Sequence, residues 1–181
     1  MTNKTIKLNS GKIISIRKQL DAQITKYFHI IRNENVMSKK AAAAGVGSGL
    51  DLKALYNTIT QLQQKRIIIK GMLTALNNGS TTFDLEDFKK TNNYSIFAAC
   101  EAKEAIAQLK MTPTINPTEK AKKGLKGTGK IETFTSAKIA QLIKDLQLTA
   151  NKYDANMEDF NNKTELDITA CSSDFEEYLN I

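Results

Sequence analysis

Residues 51–77 read DLKALYNTITQLQQKRIIIKGMLTALN, and their spacing decides the fold. Leu52, Leu55, Ile59, Leu62, Ile69, Leu73 and Leu76 fill seven of eight consecutive a/d positions, with Arg66 in the eighth. Apolar residues at alternating three- and four-residue steps make one stripe on a helix, and at this length the stripe can form a coiled-coil seam. Ser48 and Asp51 have capping-box spacing at its start, and Asn78-Gly79 supplies a stop. Arg66 breaks the pattern. An isolated buried guanidinium is costly, so Arg66 must pair with a carboxylate, snorkel out to solvent, or set register or partner.

Two further helices flank this one. From Gly11 to about Val36, Ile13, Ile16, Leu20, Ile24, Tyr27 and Ile31 form one apolar stripe, with Ser10 as N-cap. From Ser136 to Asn162, Ile139, Ile143, Leu146, Ala150, Tyr153, Met157 and Phe160 hold another. Three helices of similar length, about 11–36, 51–77 and 136–162, each roughly 40 Å long, predict an all-α bundle. Each large apolar side chain left in water would forfeit roughly 1.5–3 kcal/mol, so all three stripes must be buried.

Between these helices the pattern loosens. SKKAAAAGVGSG at 38–49 reads as a linker, because closely spaced glycines do not sustain a helix. Asp84 to Lys90 reads as a short helix and Tyr94 to Leu109 as a moderate, alanine-rich one. Pro113 and Pro117 then open a Lys/Gly loop that closes at Lys130 (112–130). Ile131 to Thr135 reads as a short strand, paired with Thr81 to Phe83 in a minor β-pair. The expected organisation is one domain, 1–166, followed by an acidic tail, 167–181.

Charge is distributed unevenly. The chain carries a formal +7, and residues 1–40 hold nine basic residues, among them Lys12, Arg17 and Lys18, against Asp21 and Glu34 alone. Six lysines between 110 and 130 face only Glu119. From 165 onward there are five acids and no base, interleaved with Phe175, Tyr178, Leu179 and Ile181. Positive and negative regions on one chain predict self-association or docking on charged partners. The residues expected to make those contacts are Arg66, Lys12, Arg17, Lys18, Phe175, Tyr178 and Leu179.

No motif names a reaction, a cofactor or a metal. His29, the single histidine, lies between Phe28 and Ile30 without an orienting partner in sequence, and reads as a boundary or surface residue. Cys100 and Cys171 lack metal-ligand spacing and are expected as free thiols, Cys100 as a small buried apolar residue among alanines. GVGSG at 45–49 and GLKGTGK at 124–130 lack the spacing and flanking strand of a phosphate-binding loop. Lysine outnumbers arginine 23 to 3, and no aromatic residues interleave with the lysines as base-stacking platforms. The N-terminus has no apolar signal region. No apolar run approaches the roughly 20 residues needed to span a membrane.

The run from Phe134-Thr135-Ser136 through the last helix to Phe160-Asn161-Asn162-Lys163-Thr164-Glu165-Leu166 resembles the closing helix of the septicolysin-like proteins, small helical proteins. Their final helix ends in an Asn-x-x-Thr-x-Leu sequence, matched by Asn161, Thr164 and Leu166. Asn162 stands where that family often has tryptophan. The resemblance implies a long antiparallel helical hairpin, compatible with the 51–77 helix and its Asn-Gly turn, and it implies no activity.

The sequence therefore predicts a non-enzymatic assembly protein acting through helix faces and charge, in a homo-oligomer or with other structural subunits. Its size and composition suggest a bacteriophage virion component (connector, neck, tail or head accessory), cytoplasmic when synthesised. The alternative is a basic nucleic-acid-binding accessory protein.

Overall fold

The computed structural model describes residues 6–116 and 129–165. The element order is α1 (Ser10–Glu34), β1 (Val36–Ser38), α2 (Lys39–Ala43), α3 (Leu52–Asn77), α4 (Leu85–Lys89), α5 (Asn92–Lys110), β2 (Lys130–Glu132) and α6 (Ser136–Lys163). The fold is mostly helical with one two-stranded antiparallel pair. α1 packs antiparallel on α3 and α5 on α6, and the two hairpins meet along α3 and α5. The alanine-rich α5 is thus a full fourth member of the bundle. Ala98, Ala99, Ala102 and Ala105 are buried there, and side chains this small let neighbouring backbones approach closely.

Each helix begins on a side-chain cap. Asn9 Oδ1 accepts from Lys12 N–H, Asp51 from Lys53 and Ala54 N–H, and Thr135 from Lys138 N–H. The sequence had suggested Ser10, a Ser48–Asp51 box and Ser136. Asp51 caps α3 by itself, because Ser48 is held elsewhere: its N–H and hydroxyl both donate to the Glu34 carboxylate, at 2.9 and 2.8 Å. That contact ties the linker to the end of α1.

The β-pair also differs from expectation. Lys130–Glu132 pairs with Val36–Ser38, Met37 facing Ile131, and not with residues 81–83. Asn35 explains the choice. It is buried at the end of α1, its side-chain amide donates to the carbonyls of Pro113 and Phe134, and its Oδ1 accepts from Phe134 N–H at 2.7 Å. One amide with three good hydrogen bonds brings the chain after α5 and the chain before α6 to the end of α1. β2 is thereby delivered alongside β1.

The seam of α3 holds only as far as Arg66. Leu52, Leu55, Ile59 and Leu62 are buried, but beyond Arg66 the buried residues are Ile67 and Gly71, while Ile69, Leu73 and Leu76 are half-buried. A seven-residue repeat drifts about 20° per heptad around a straight helix. The lower half of α3 also packs against the α4–α5 segment, so contact spreads over two faces. Phe88 of α4 lies directly on Gly71, and a Cβ there would collide with the ring. Alanine normally stabilises a helix interior by about 1 kcal/mol relative to glycine. Gly71→Ala is nonetheless expected to destabilise the protein by about 1–3 kcal/mol, the cost of overpacking. A rise in melting temperature for this variant would show that Phe88 does not sit on α3.

Candidate functional site

Arg66 lies in the middle of the bundle with its side chain only 6% exposed. Its Nε donates to Glu101 Oε1 at 2.8 Å and its Nη1 to Asp21 Oδ1 at 2.9 Å. Its Nη2 serves Glu104 Oε2 at 2.6 Å and the second oxygen of Glu101. Lys70 Nζ donates to Glu101 Oε1 at 2.9 Å, and Arg17 Nε approaches Asp21 Oδ2 at 3.9 Å. The cluster Arg17, Arg66, Lys70, Asp21, Glu101 and Glu104 is formally neutral and joins α1, α3 and α5. Burial by itself would weaken the Arg66 cation. The hydrogen bonds to Glu101 and Asp21 and the charges of Glu101 and Glu104 outweigh it and hold the guanidinium above the usual arginine range.

Arg66 therefore takes the carboxylate option and does not snorkel. Its partners sit within its own chain. Two apolar clusters adjoin the polar group. Leu20, Ile24, Phe28, Ile31, Leu52, Leu55, Ile59, Leu62, Ala105, Leu109, Phe134 and Ile139 form the larger, and Ile16 and Ile69 pack against it. Ile67, Phe88 and Ala98, with the rings of Phe83, Tyr94, Phe97 and Tyr153, form the smaller.

A second feature lies at the end of the bundle where α3 and α6 begin. A groove of about 390 Å³ is lined by Lys53, Tyr56, Asn57, Thr133, Phe134, Thr135, Lys138 and Leu142. Its floor is apolar, with the Tyr56 and Phe134 rings edge to face at 6.1 Å. Lys53 and Lys138 are exposed on its rim, and neither pairs with a carboxylate among the described residues. Burial, with the Asp145 charge nearby, raises the Tyr56 phenol above the ordinary tyrosine range.

Of the other residues singled out in the sequence, Lys12 and Lys18 are exposed on α1, and Arg17 is drawn toward Asp21. The Arg66 network and the exposed lysines do not form one site. Phe175, Tyr178 and Leu179 lie outside the described residues, as does Cys171. His29 is exposed, its Nε2 2.8 Å from the Asn33 amide nitrogen. Cys100 is exposed and not buried. The interior face of α5 runs through Ala98, Glu101, Ala102 and Ala105, which turns position 100 outward. Of the 45–49 and 124–130 glycines, those described, Gly45, Gly47, Gly49 and Gly129, all have positive φ. Lys39 N–H donates to the Gly129 carbonyl, so these segments serve as turns around the β-pair.

Among the described residues no group of His, Cys, Asp and Glu is placed to hold a metal ion. No described helix is long and apolar enough to cross a membrane. Comparison with family models, with curated proteins and with solved structures finds no match.

The network predicts a particular pattern of stability. Arg66→Ala leaves the Glu101 carboxylate, 5% exposed, without its main cation and should cost about 3–5 kcal/mol. Replacing both partners, Arg66→Leu with Glu101→Leu, should recover much of that loss, because neither charge is then stranded. Urea denaturation of the two variants measures the difference, and an undisturbed Arg66→Ala would mean that the guanidinium is not buried.

Proposed function

We propose that this chain is a non-enzymatic assembly protein, a rigid helical unit that joins copies of itself or other structural subunits through charged and apolar surface contacts. Uncompensated charge carries the reading. Residues 1–40 contain two acids, and the bundle engages both internally: Asp21 accepts from Arg66, and Glu34 accepts from Ser48. Lys12, Lys18 and Lys26 remain exposed on the outer face of α1, spread over about 21 Å at 1.5 Å rise per residue. The opposite charge lies in 165–181, with its five acids. A scaffold braced by buried hydrogen bonds, with complementary charges left outside, suits repeated docking. A place in a bacteriophage particle, as a connector, neck, tail or head accessory protein, is the setting we favour.

The same lysine row supports a second reading, contact with the phosphates of a nucleic acid. The two readings respond differently to salt and to truncation. On the assembly reading, light scattering gives a mass above that of the monomer. Ending the chain after Leu166 lowers that mass and leaves helix content nearly unchanged. On the nucleic-acid reading the truncated chain gains DNA affinity that falls steeply with salt, and Lys12→Glu with Lys18→Glu and Lys26→Glu abolishes it. A truncated chain that keeps its mass and acquires such affinity would overturn the assembly proposal.

A further inference from the structure

The groove between the starts of α3 and α6 combines an apolar floor with a cationic rim. Tyr56, Phe134 and Leu142 offer aromatic and aliphatic surface, and Lys53 and Lys138 stand over it. At about 390 Å³ it is at the small end of ligand clefts. It accommodates one or two side chains, not a folded partner. Its complement is an acidic segment with aromatic and aliphatic anchors. The chain contains one: Phe175-Glu176-Glu177-Tyr178-Leu179, where adjacent carboxylates are bracketed by apolar side chains. Asp145, close to Tyr56, sets a polarity on the groove. The carboxylates belong at the Lys53 and Lys138 rim, and the anchors belong between Tyr56 and Leu142.

Chain geometry favours the segment of a second copy. Lys138 and Lys163 are separated by about 38 Å of α6 at 1.5 Å per residue. From Lys163, where α6 ends, twelve residues reach Phe175 and fifteen reach Tyr178, at most about 42 and 52 Å at full extension. The tail of the same chain therefore seats in its own groove only by running back along α6 with most of its length extended. A second copy is under no such restriction. A reciprocal exchange, each tail in its partner's groove, closes a two-fold dimer with two identical contacts. We propose, resting on the assembly reading above, that residues 175–179 of one copy dock in the groove formed by Lys53, Tyr56, Phe134, Lys138 and Leu142 of a second copy.

The test is charge exchange in the full-length chain, read by sedimentation equilibrium across a range of protein concentrations. Lys53→Glu with Lys138→Glu should weaken dimerisation about ten-fold or more, because it sets like charges against each other. Glu176→Lys with Glu177→Lys should weaken it similarly. The chain carrying all four substitutions should return to within a few-fold of the original dimerisation constant, which also shows that neither pair acts by unfolding the bundle. If the unaltered chain self-associates and neither pair changes its constant, the groove proposal is overturned while the assembly reading stands. If the unaltered chain is monomeric at every concentration, docking on a second copy is overturned together with self-assembly.

Discussion

The Arg66 guanidinium lies where α1, α3 and α5 meet, and a cation so placed requires partners from each direction. Asp21 answers from α1, and Glu101 and Glu104 answer from α5. Gln63, one turn before Arg66, donates to the Glu101 carbonyl at 3.3 Å and steadies the same contact. Leucine side chains tolerate sliding along one another, but this arrangement does not. Moving α3 by one helical turn, about 5.4 Å, would strand Arg66 and Glu101 together, and a buried unpaired charge is among the most costly defects a core can hold. An ionic layer of this kind contributes little net stability compared with an apolar one. Its effect here is to fix the register of three helices.

Asn35 performs the corresponding task at the end of the bundle. Its buried amide saturates polar groups of the chain after α5 and before α6, so β1 and β2 meet and the floor of the groove is held in place. Phe134, whose N–H and C=O both bond to Asn35, is also a wall of that groove. The rigid interior and the charged exterior are therefore linked through a single side chain.

Much of this architecture was legible in the residues. The stripes in 51–77 and 136–162 fell within a residue or two of the observed helices, because periodic burial is the strongest signal a sequence carries. α5 was harder to rank, since alanines bury well but announce a weak stripe. The need of Arg66 for a carboxylate was legible but its partner was not named, although Glu101 interrupts the Ala98, Ala102, Ala105 face much as Arg66 interrupts the leucine seam. A minor β-pair with a strand near 131 was legible, but the role of Asn35 and the partner strand, Val36–Ser38, were not. Their contacts span 78 and 99 residues, and local pattern holds no record of such distances. Cys100 was misplaced for a related reason: an alanine-rich window does not reveal which of its positions face outward until a neighbouring helix is known.

The central claim is that Arg66 is immobilised by three helices, and nitrogen NMR of the guanidinium group tests it most directly. A fixed, buried guanidinium with distinct partners on each nitrogen should give a resolved Nε–H signal and separate Nη signals that persist in slow exchange with water. A single averaged Nη signal that exchanges rapidly with solvent would contradict it.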